Sequence, residues 1–449
     1  MLSRILFDET TPDHQEAVVT RERSTTWAEL RAVARAIADS QAALSQRRIG
    51  LSFPPTANSY AALAALDHLE CDILLFDAHL ALEETLRLAT NLKLGAVLVA
   101  SGDEEASILT AHELPNEADW SGTGTVTILT SGSTGAPKAA RHSWESLSRP
   151  VRQDSKHPSP RWLLTYRPNL YAGLQVMLQC FANRGTLAAA EPEMNPQTTA
   201  QFMYDARVQF VSATPSFWRR LLMFADRELL RRIPILQITL GGEVVDQPIL
   251  DQLRQHFPDA RLVHIYATTE LGRCFAVNDG IAGFPSSFLN QALSDRVELK
   301  VESGELFARS PNAMRMYDPY SSNRPGASDW FATGDLVEEK QDRFYFVGRK
   351  SDMINVAGSK VYPIEVERTI RAIPGVSDVR VFGKHSSIAG ELVACEIVPD
   401  ANQNAEALKE TVFRVCRSQL ASPQQPRMIK LVERIEISPA GKTLRTKTS

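Results

Sequence analysis

Along residues 1–100, apolar positions recur at helical spacing and then bunch into short unbroken runs. Thr26-Trp27-Ala28-Glu29-Leu30 opens an amphipathic stretch that predicts a helix to about Gln46, and Thr25 or Thr26 with Glu29 supplies a capping box at its start. The runs Ile73 to Phe76 and Ala96 to Ala100 lie between helical patterns and predict buried strands. That alternation is the rhythm of a layered α/β domain.

A second α/β rhythm runs from Val126 to about Leu271, with strands expected at Val126-Leu129, Val208-Ser212, Ile235-Leu240 and Leu262-Tyr266. From about Arg296 the pattern shortens to strand-like pieces, Val297-Val301, Leu306-Ala308 and Phe344-Val347, which predict a small β-rich unit. After Gly348 the chain becomes a compact mix of short strands and two helices ending near Leu420, and Pro423, Pro426, Pro439 and Gly441 make the remainder loop-rich. No internal repeat or low-complexity tract interrupts this order. The expected fold class is α/β: a large N-terminal domain of layered α/β subdomains with a small β-rich unit, then a small α+β C-terminal domain.

A chain of 449 residues can bury a large core, and its length suggests roughly two or three domains. The balance of 49 Lys and Arg against 53 Asp and Glu gives a formal charge of -4 with no basic stripe, so nucleic-acid binding has no electrostatic support. Cys71, Cys180, Cys274, Cys395 and Cys416 are scattered, with no Cys-x-x-Cys pair for zinc or redox work, and read as reduced thiols of a cytoplasmic protein. No run reaches the roughly 18 apolar residues of a membrane span, and the apolar patch Leu2 to Phe7 is cut short by Asp8 and Glu9.

The strongest chemical signal is Thr130-Ser131-Gly132-Ser133-Thr134-Gly135-Ala136-Pro137-Lys138, directly after the strand ending at Leu129. Its hydroxyls and glycines let backbone amides wrap closely around a polyphosphate, and Lys138 adds a point charge. The order is not that of a Walker A loop, because a proline precedes the lysine. This segment resembles the phosphate loop of the adenylate-forming superfamily, which contains acyl-CoA synthetases, adenylation domains of peptide synthetases and luciferases. Further motifs follow in that family's order over roughly residues 25–445.

The resemblance assigns the remaining residues. Gly241-Gly242-Glu243 matches an adenine-contacting loop, with Gly242 and Glu243 as cofactor-binding residues. Tyr266-Ala267-Thr268-Thr269-Glu270 is similar to the family's Tyr-Gly-x-Thr-Glu, which implies Tyr266 near adenine, Thr269 at the α-phosphate and Glu270 as the Mg2+ ligand; Ala267 stands where glycine is usual. Thr333-Gly334-Asp335 resembles the motif whose aspartate accepts from both ribose hydroxyls, and Gly348-Arg349 the ribose-binding arginine. Lys350 to Glu367 resembles a hinge and the loop after it, with Ser351 where Asp or Lys is common and Gly358 approaching a pantetheine thiol. Ser438-Pro439-Ala440-Gly441-Lys442 resembles the C-terminal Gly-Lys motif, whose lysine contacts the reacting carboxylate.

The implied organisation is a nucleotide- and acid-binding domain over 1–348, a hinge over 349–352 and a mobile domain over 353–449 carrying Lys442. The implied chemistry is ATP-dependent activation of a small carboxylic acid to an acyl-adenylate with release of pyrophosphate. The acyl group then passes to a thiol. Val361-Tyr362-Pro363-Ile364-Glu365-Val366-Glu367 is closer to the acyl-CoA ligase style, which tips the acceptor toward CoA. A carrier-protein phosphopantetheine or an amine is the alternative acceptor, and a non-catalytic nucleotide-binding protein the alternative class. Tyr166, Tyr171, Gly173, Trp218 and Arg273 are candidates for the acid pocket.

Overall fold

The computed structural model describes residues 1–8, 10, 13–100, 109–115, 124–130, 138–191, 194–289, 291–318, 329–386, 390–400 and 403–436. Two large sheets carry the N-terminal region. One has seven strands in the order Met316–Asp318, Lys138–Ser143, Thr125–Thr130, Asp72–Phe76, Arg48–Ser52, Ala96–Ala100 and Leu109–Glu113. The other has eight, in the order Gly272–Val277, Arg261–Thr268, Gln237–Leu240, Phe210–Ala213, Arg161–Leu164, Thr186–Ala189, Glu16–Val19 and Ser24–Thr26.

The two rhythms of the sequence do not map one to one onto these sheets. Glu16–Val19, from the first stretch, pairs in parallel with Thr186–Ala189 in the eight-stranded sheet. Thr125–Thr130, which opens the second stretch, pairs in parallel with Asp72–Phe76 in the seven-stranded one. The halves are therefore laced together, and the core that contains Trp27, Ile49, Tyr60, Val126, Trp162 and Phe181 draws on both sheets.

Local sequence rules explain the elements around that core. The helix Trp27–Ser40 starts with the expected capping box, Glu29 N–H donating to Thr26 Oγ1 at 3.2 Å and Thr26 N–H to Glu29 Oε2 at 2.7 Å. It ends at Ser40, six residues before the expected Gln46, where a 3-10 turn Ala42–Leu44 takes over. The helix Ala57–His68 is Ala- and Leu-rich and buried from Ser59 to Asp67, so it lies inside rather than on the surface. Phe181 meets it edge-on, 5.9 Å from Tyr60, and touches Trp27 at 5.2 Å.

A five-stranded antiparallel sheet follows, in the order Phe284–Pro285, Arg343–Arg349, Phe331–Lys340, Glu305–Arg309 and Glu298–Glu302, which is the β-rich unit expected from Arg296 onward. Ile354–Val356, Ser359–Val361, Val376–Ser386, Gly390–Pro399 and Met428–Leu431 form the last sheet, covered by the helices Pro363–Arg371 and Ala405–Gln419 around their own core. The strand Met428–Leu431 lies in the stretch the prolines marked as loop. It escapes sequence reading because it is a four-residue edge strand with half-exposed positions.

A row of polar groups crosses the seven-stranded sheet at Arg48, Asp72 and Thr125, which are register partners. Asp72 accepts from Arg48 Nε at 2.9 Å, from Arg141 Nη2 at 2.8 Å and from the Thr125 hydroxyl, and is 2% exposed. Removing the shared carboxylate takes the counter-charge from two buried guanidinium groups. Asp72→Ala should therefore cost about 3 to 5 kcal/mol of unfolding free energy, measured by denaturant titration. A loss below about 1 kcal/mol would show that the arginines find other partners.

Candidate active site

Three strands of the eight-stranded sheet, Phe210–Ala213, Gln237–Leu240 and Arg261–Thr268, run parallel to one another. Gly241-Gly242-Glu243 and Thr269-Glu270 follow two of them directly, so both motifs sit at carboxyl ends of parallel strands, the usual place for ligands in α/β sheets. One cleft of about 1640 Å³ is lined by these residues together with Thr130, Tyr266, Asp335 and Arg349.

Asp335 is the centre of the polar arrangement. Its Oδ2 accepts from the Tyr266 hydroxyl at 2.5 Å and its Oδ1 from Arg349 Nε at 2.9 Å. Asp335 and Arg349 are register partners across an antiparallel ladder. Burial, and then the neighbouring Asp335 charge, push the Tyr266 hydroxyl well above its ordinary pKa, which keeps it a donor. The Tyr266 ring stacks on Phe275 at 5.3 Å and on Phe346 at 5.1 Å. The turn before Asp335 is held by Thr333 Oγ1 donating to Leu306 O at 2.7 Å and by Gly334 N–H donating to Glu305 Oε1 at 3.0 Å. Gly334 has φ +75°, where a side chain would be strained.

The glycine loop is fixed from two sides. Tyr166 donates its hydroxyl to Gly241 O at 3.3 Å, and Glu243 Oε2 accepts from Ser216 N–H at 2.9 Å in the first turn of the helix Pro215–Phe224. Glu243 thus ties the loop to a helix N-terminus. Thr130 and Lys138 are register partners on adjacent antiparallel strands, so residues 131–137 join the ends of a hairpin. Ser131, Gly132, Ser133, Thr134 and Gly135 lie outside the described residues, as does Lys442. Lys138 is exposed and is not part of the cleft wall. Gly358 is also apart from the cleft, in an exposed turn with φ +85° where its N–H donates to Asn355 Oδ1 at 3.0 Å.

The acid-pocket candidates separate cleanly. Tyr166, Tyr171 and Arg273 line the cleft. Trp218 does not: it is fully buried in the core behind the sheet, edge-on to Phe257 at 5.6 Å. Gly173 is a packing requirement, since a Cβ there would lie 2.2 Å from Arg167 O. Arg273 is held by Asp295 at 3.0 Å, which also pairs with Arg152.

Two groups that touch the motif segments carried no motif signal. Asp246, five residues after Gly241, caps the helix Gln247–His256 through Ile249 N–H and pairs with Arg219 at 2.8 Å and with Arg371 at 3.3 Å. His142 is fully buried on the strand Lys138–Ser143, and its Nε2 lies 2.7 Å from Thr269 O. With a carbonyl as partner, that nitrogen carries the proton and donates. Burial pulls the His142 pKa down to about 4, so the ring is neutral near pH 7 and anchors the Thr269-Glu270 turn without adding charge. An unfolded chain protonates this ring near its ordinary pKa of about 6.5, so stability should be full above that pH and fall as pH drops toward about 4. The loss on this account should reach about 3 kcal/mol, and His142→Asn should flatten that pH dependence in thermal melts; an unchanged slope would remove His142 as its source.

Comparison with known proteins identifies the family. The family model described as AMP-binding enzyme matches residues 54–318, and the model for the AMP-binding enzyme C-terminal domain matches 365–442. A long-chain-fatty-acid–CoA ligase of Mycobacterium tuberculosis is 28% identical over 342 residues, 71% of this chain and 66% of the ligase, so the match spans about two thirds of that relative. A 2-succinylbenzoate–CoA ligase of Listeria innocua is 26% identical over 390 residues, 81% of this chain and 80% of that protein. Among solved structures, an anthranilate CoA ligase in complex with anthranoyl-AMP shares the fold with a TM-score of 0.79 at 16% identity, covering 98% of this chain and 95% of that one. The chain belongs to the AMP-binding enzyme family.

Proposed function

We propose that the protein activates a carboxylic acid with ATP and passes the acyl group to the thiol of CoA. The observation that carries this reading is the meeting of Asp335, Arg349, Tyr266 and Glu270 with the glycine loop in one cleft. CoA ligases among the relatives support the thiol acceptor. In the first step an acid oxygen attacks the α-phosphorus of ATP and the bond to pyrophosphate breaks. In the second, the thiol attacks the acyl carbon and AMP leaves.

The first step brings two anions together, and at about 4 Å one unit pair costs roughly 4 kcal/mol at an effective dielectric near 20. Cations must offset this. The resemblance gives that role to Lys442 at the reacting oxygens and to Lys138 at the end of the phosphate loop, although Lys138 lies outside the cleft wall in this structure. Among the described residues no cluster of three or more His, Cys, Asp or Glu could hold a metal by itself. The single carboxylate of Glu270 still suits Mg2+, which takes one or two carboxylates together with substrate phosphates. Such an ion would neutralise phosphate charge and orient the leaving group. Asp335 and Arg349 would fix the ribose, which positions rather than reacts.

For the second step the small domain over 353–449 would turn about 349–352 and bring the Gly358 loop toward the thiol. The local structure suits a pivot: Arg349 ends a strand, and Lys350–Asp352 is a single 3-10 turn with Ser351 exposed. A carrier-protein thiol or an amine is the alternative acceptor. A cytoplasmic setting suits five free, buried cysteines, and no helix among the described residues is long and apolar enough to cross a membrane.

ATP–pyrophosphate exchange with Mg2+ over aliphatic, aromatic and amino acids, without an acceptor, should show acid-dependent turnover. Lys442→Ala should cut that exchange by roughly a hundredfold or more. Near-normal exchange in the variant would remove Lys442 from the site, and no exchange with any acid would favour a non-catalytic nucleotide-binding protein.

A further inference from the structure

Glu305, on the strand Glu305–Arg309 of the five-stranded sheet, divides its carboxylate between two segments. Its Oε1 accepts from Gly334 N–H at 3.0 Å, in the turn that presents Asp335, and its Oε2 accepts from Lys350 Nζ, in the 3-10 turn Lys350–Asp352. Glu305 is 6% exposed, whereas the Lys350 side chain is 58% exposed. The buried carboxylate on its strand is the fixed half of this pair, and the ammonium on its flexible stem is the half that can leave. Ser351 does not share the role, because its hydroxyl donates to its neighbour Asp352 Oδ1 at 2.9 Å.

The result is a double grip. Arg349 and Lys350 are consecutive, and they hold the consecutive residues Asp335 and Gly334, Arg349 directly at 2.9 Å and Lys350 by way of Glu305. Arg349 ends the strand that pairs with Asp335 and lines the cleft. Lys350 is the first residue beyond that strand and is not part of the cleft wall. Gly334 has little else to lean on, since a Cβ there would meet nothing within 4 Å. The Thr333 hydroxyl steadies the turn from the other side, donating to Leu306 O and accepting from Asp335 N–H at 3.1 Å. Without Lys350, Glu305 would hold a charge in a nearly water-free place with one backbone donor, so its carboxylate would turn toward water and release the Gly334 N–H.

Resting on the reading of Asp335 as the ribose anchor and of residues 349–352 as the pivot, we propose that Glu305 is a positioning residue that couples the two. Lys350 in the pivot steadies, through Glu305, the turn that aims Asp335 at the ribose hydroxyls. Coupling of this kind is reciprocal. A nucleotide held at Asp335 favours the arrangement in which Lys350 reaches Glu305, and departure of the Lys350 side chain when the small domain turns loosens the grip on the ribose. Loosening at that stage suits a step from which AMP leaves.

The test is calorimetric binding of AMP and of 2′,3′-dideoxy-AMP, which lacks both ribose hydroxyls, to the full chain. The wild type should bind AMP about tenfold or more tightly than the dideoxy nucleotide. Lys350→Met should cut that ratio about fivefold by weakening AMP alone, and Lys350→Arg, which keeps a charged donor for Glu305, should leave the ratio as in the wild type. Glu305→Gln keeps an acceptor for the Gly334 N–H but offers no charge to Lys350, and should cut the ratio as well. A wild-type ratio in both Lys350→Met and Glu305→Gln, or an equal loss for the two nucleotides, overturns the coupling while leaving the ribose reading intact. A wild type that binds the two nucleotides alike, or neither, would instead remove Asp335 as the ribose anchor, and this inference with it. Acid-dependent ATP–pyrophosphate exchange reports on adenylation separately.

Discussion

The site depends on one carboxylate being held between two sheets. Asp335 lies on a strand of the five-stranded sheet, and its two oxygens take Tyr266 from the eight-stranded sheet and Arg349 from its own ladder partner. An unpaired charge at such a junction would be costly, so the pairing fixes where the β-rich unit sits relative to the parallel strands. The stack of Tyr266 with Phe275 and Phe346 repeats the same link in apolar form. With that junction set, the carboxyl ends of the parallel strands and the Asp335 turn face a common space. Everything else in the cleft inherits its position from this.

The motifs are legible because glycine and hydroxyl residues at or near a strand end leave a local signal, Gly241–Glu243 just after one strand, Tyr266–Glu270 across the end of another and Thr333–Asp335 near the start of a third. Gly241–Glu243, Tyr266–Glu270 and Thr333–Asp335 could all be located this way. Which strand pairs with which could not be read, because alternation reports burial and not partnership. Hence Glu16–Val19 joins the sheet built mainly from the second stretch, and Thr125–Thr130 the sheet built mainly from the first. Aromatic residues were equally ambiguous: Tyr166 and Trp218 look alike in sequence, yet one bonds Gly241 O and the other is sealed behind the sheet.

His142 shows why the supporting groups stay hidden. A lone histidine on a strand has no signature, and its role comes only from Thr269 O lying 2.7 Å away after a separation of 127 residues. Ser212 and Thr239 are hidden for a related reason. Each is one hydroxyl on a short strand, and only the register between strands makes them neighbours. Sequence therefore marks the loop end of the cleft, where motifs are distinctive, and says little about the strand end, where ordinary strand positions form the wall.

Asp246, just after the glycine loop, joins it to the C-terminal region through Arg371, and its bonding bears on the proposed rotation. A buried ion pair is poor evidence for stability, but breaking one is expensive when a charge is left alone. Here neither partner would be left alone. On separation Asp246 would keep Arg219 at 2.8 Å and the Ile249 N–H, while Arg371 would keep Asp378 at 3.5 Å and the Val379 carbonyl at 3.3 Å. The Asp246–Arg371 contact can therefore specify one arrangement of the two regions without locking it. That is what a joint working between two half-reactions requires: each surface carries its own counter-charge, so the cost of parting is the contact alone and not two stranded ions.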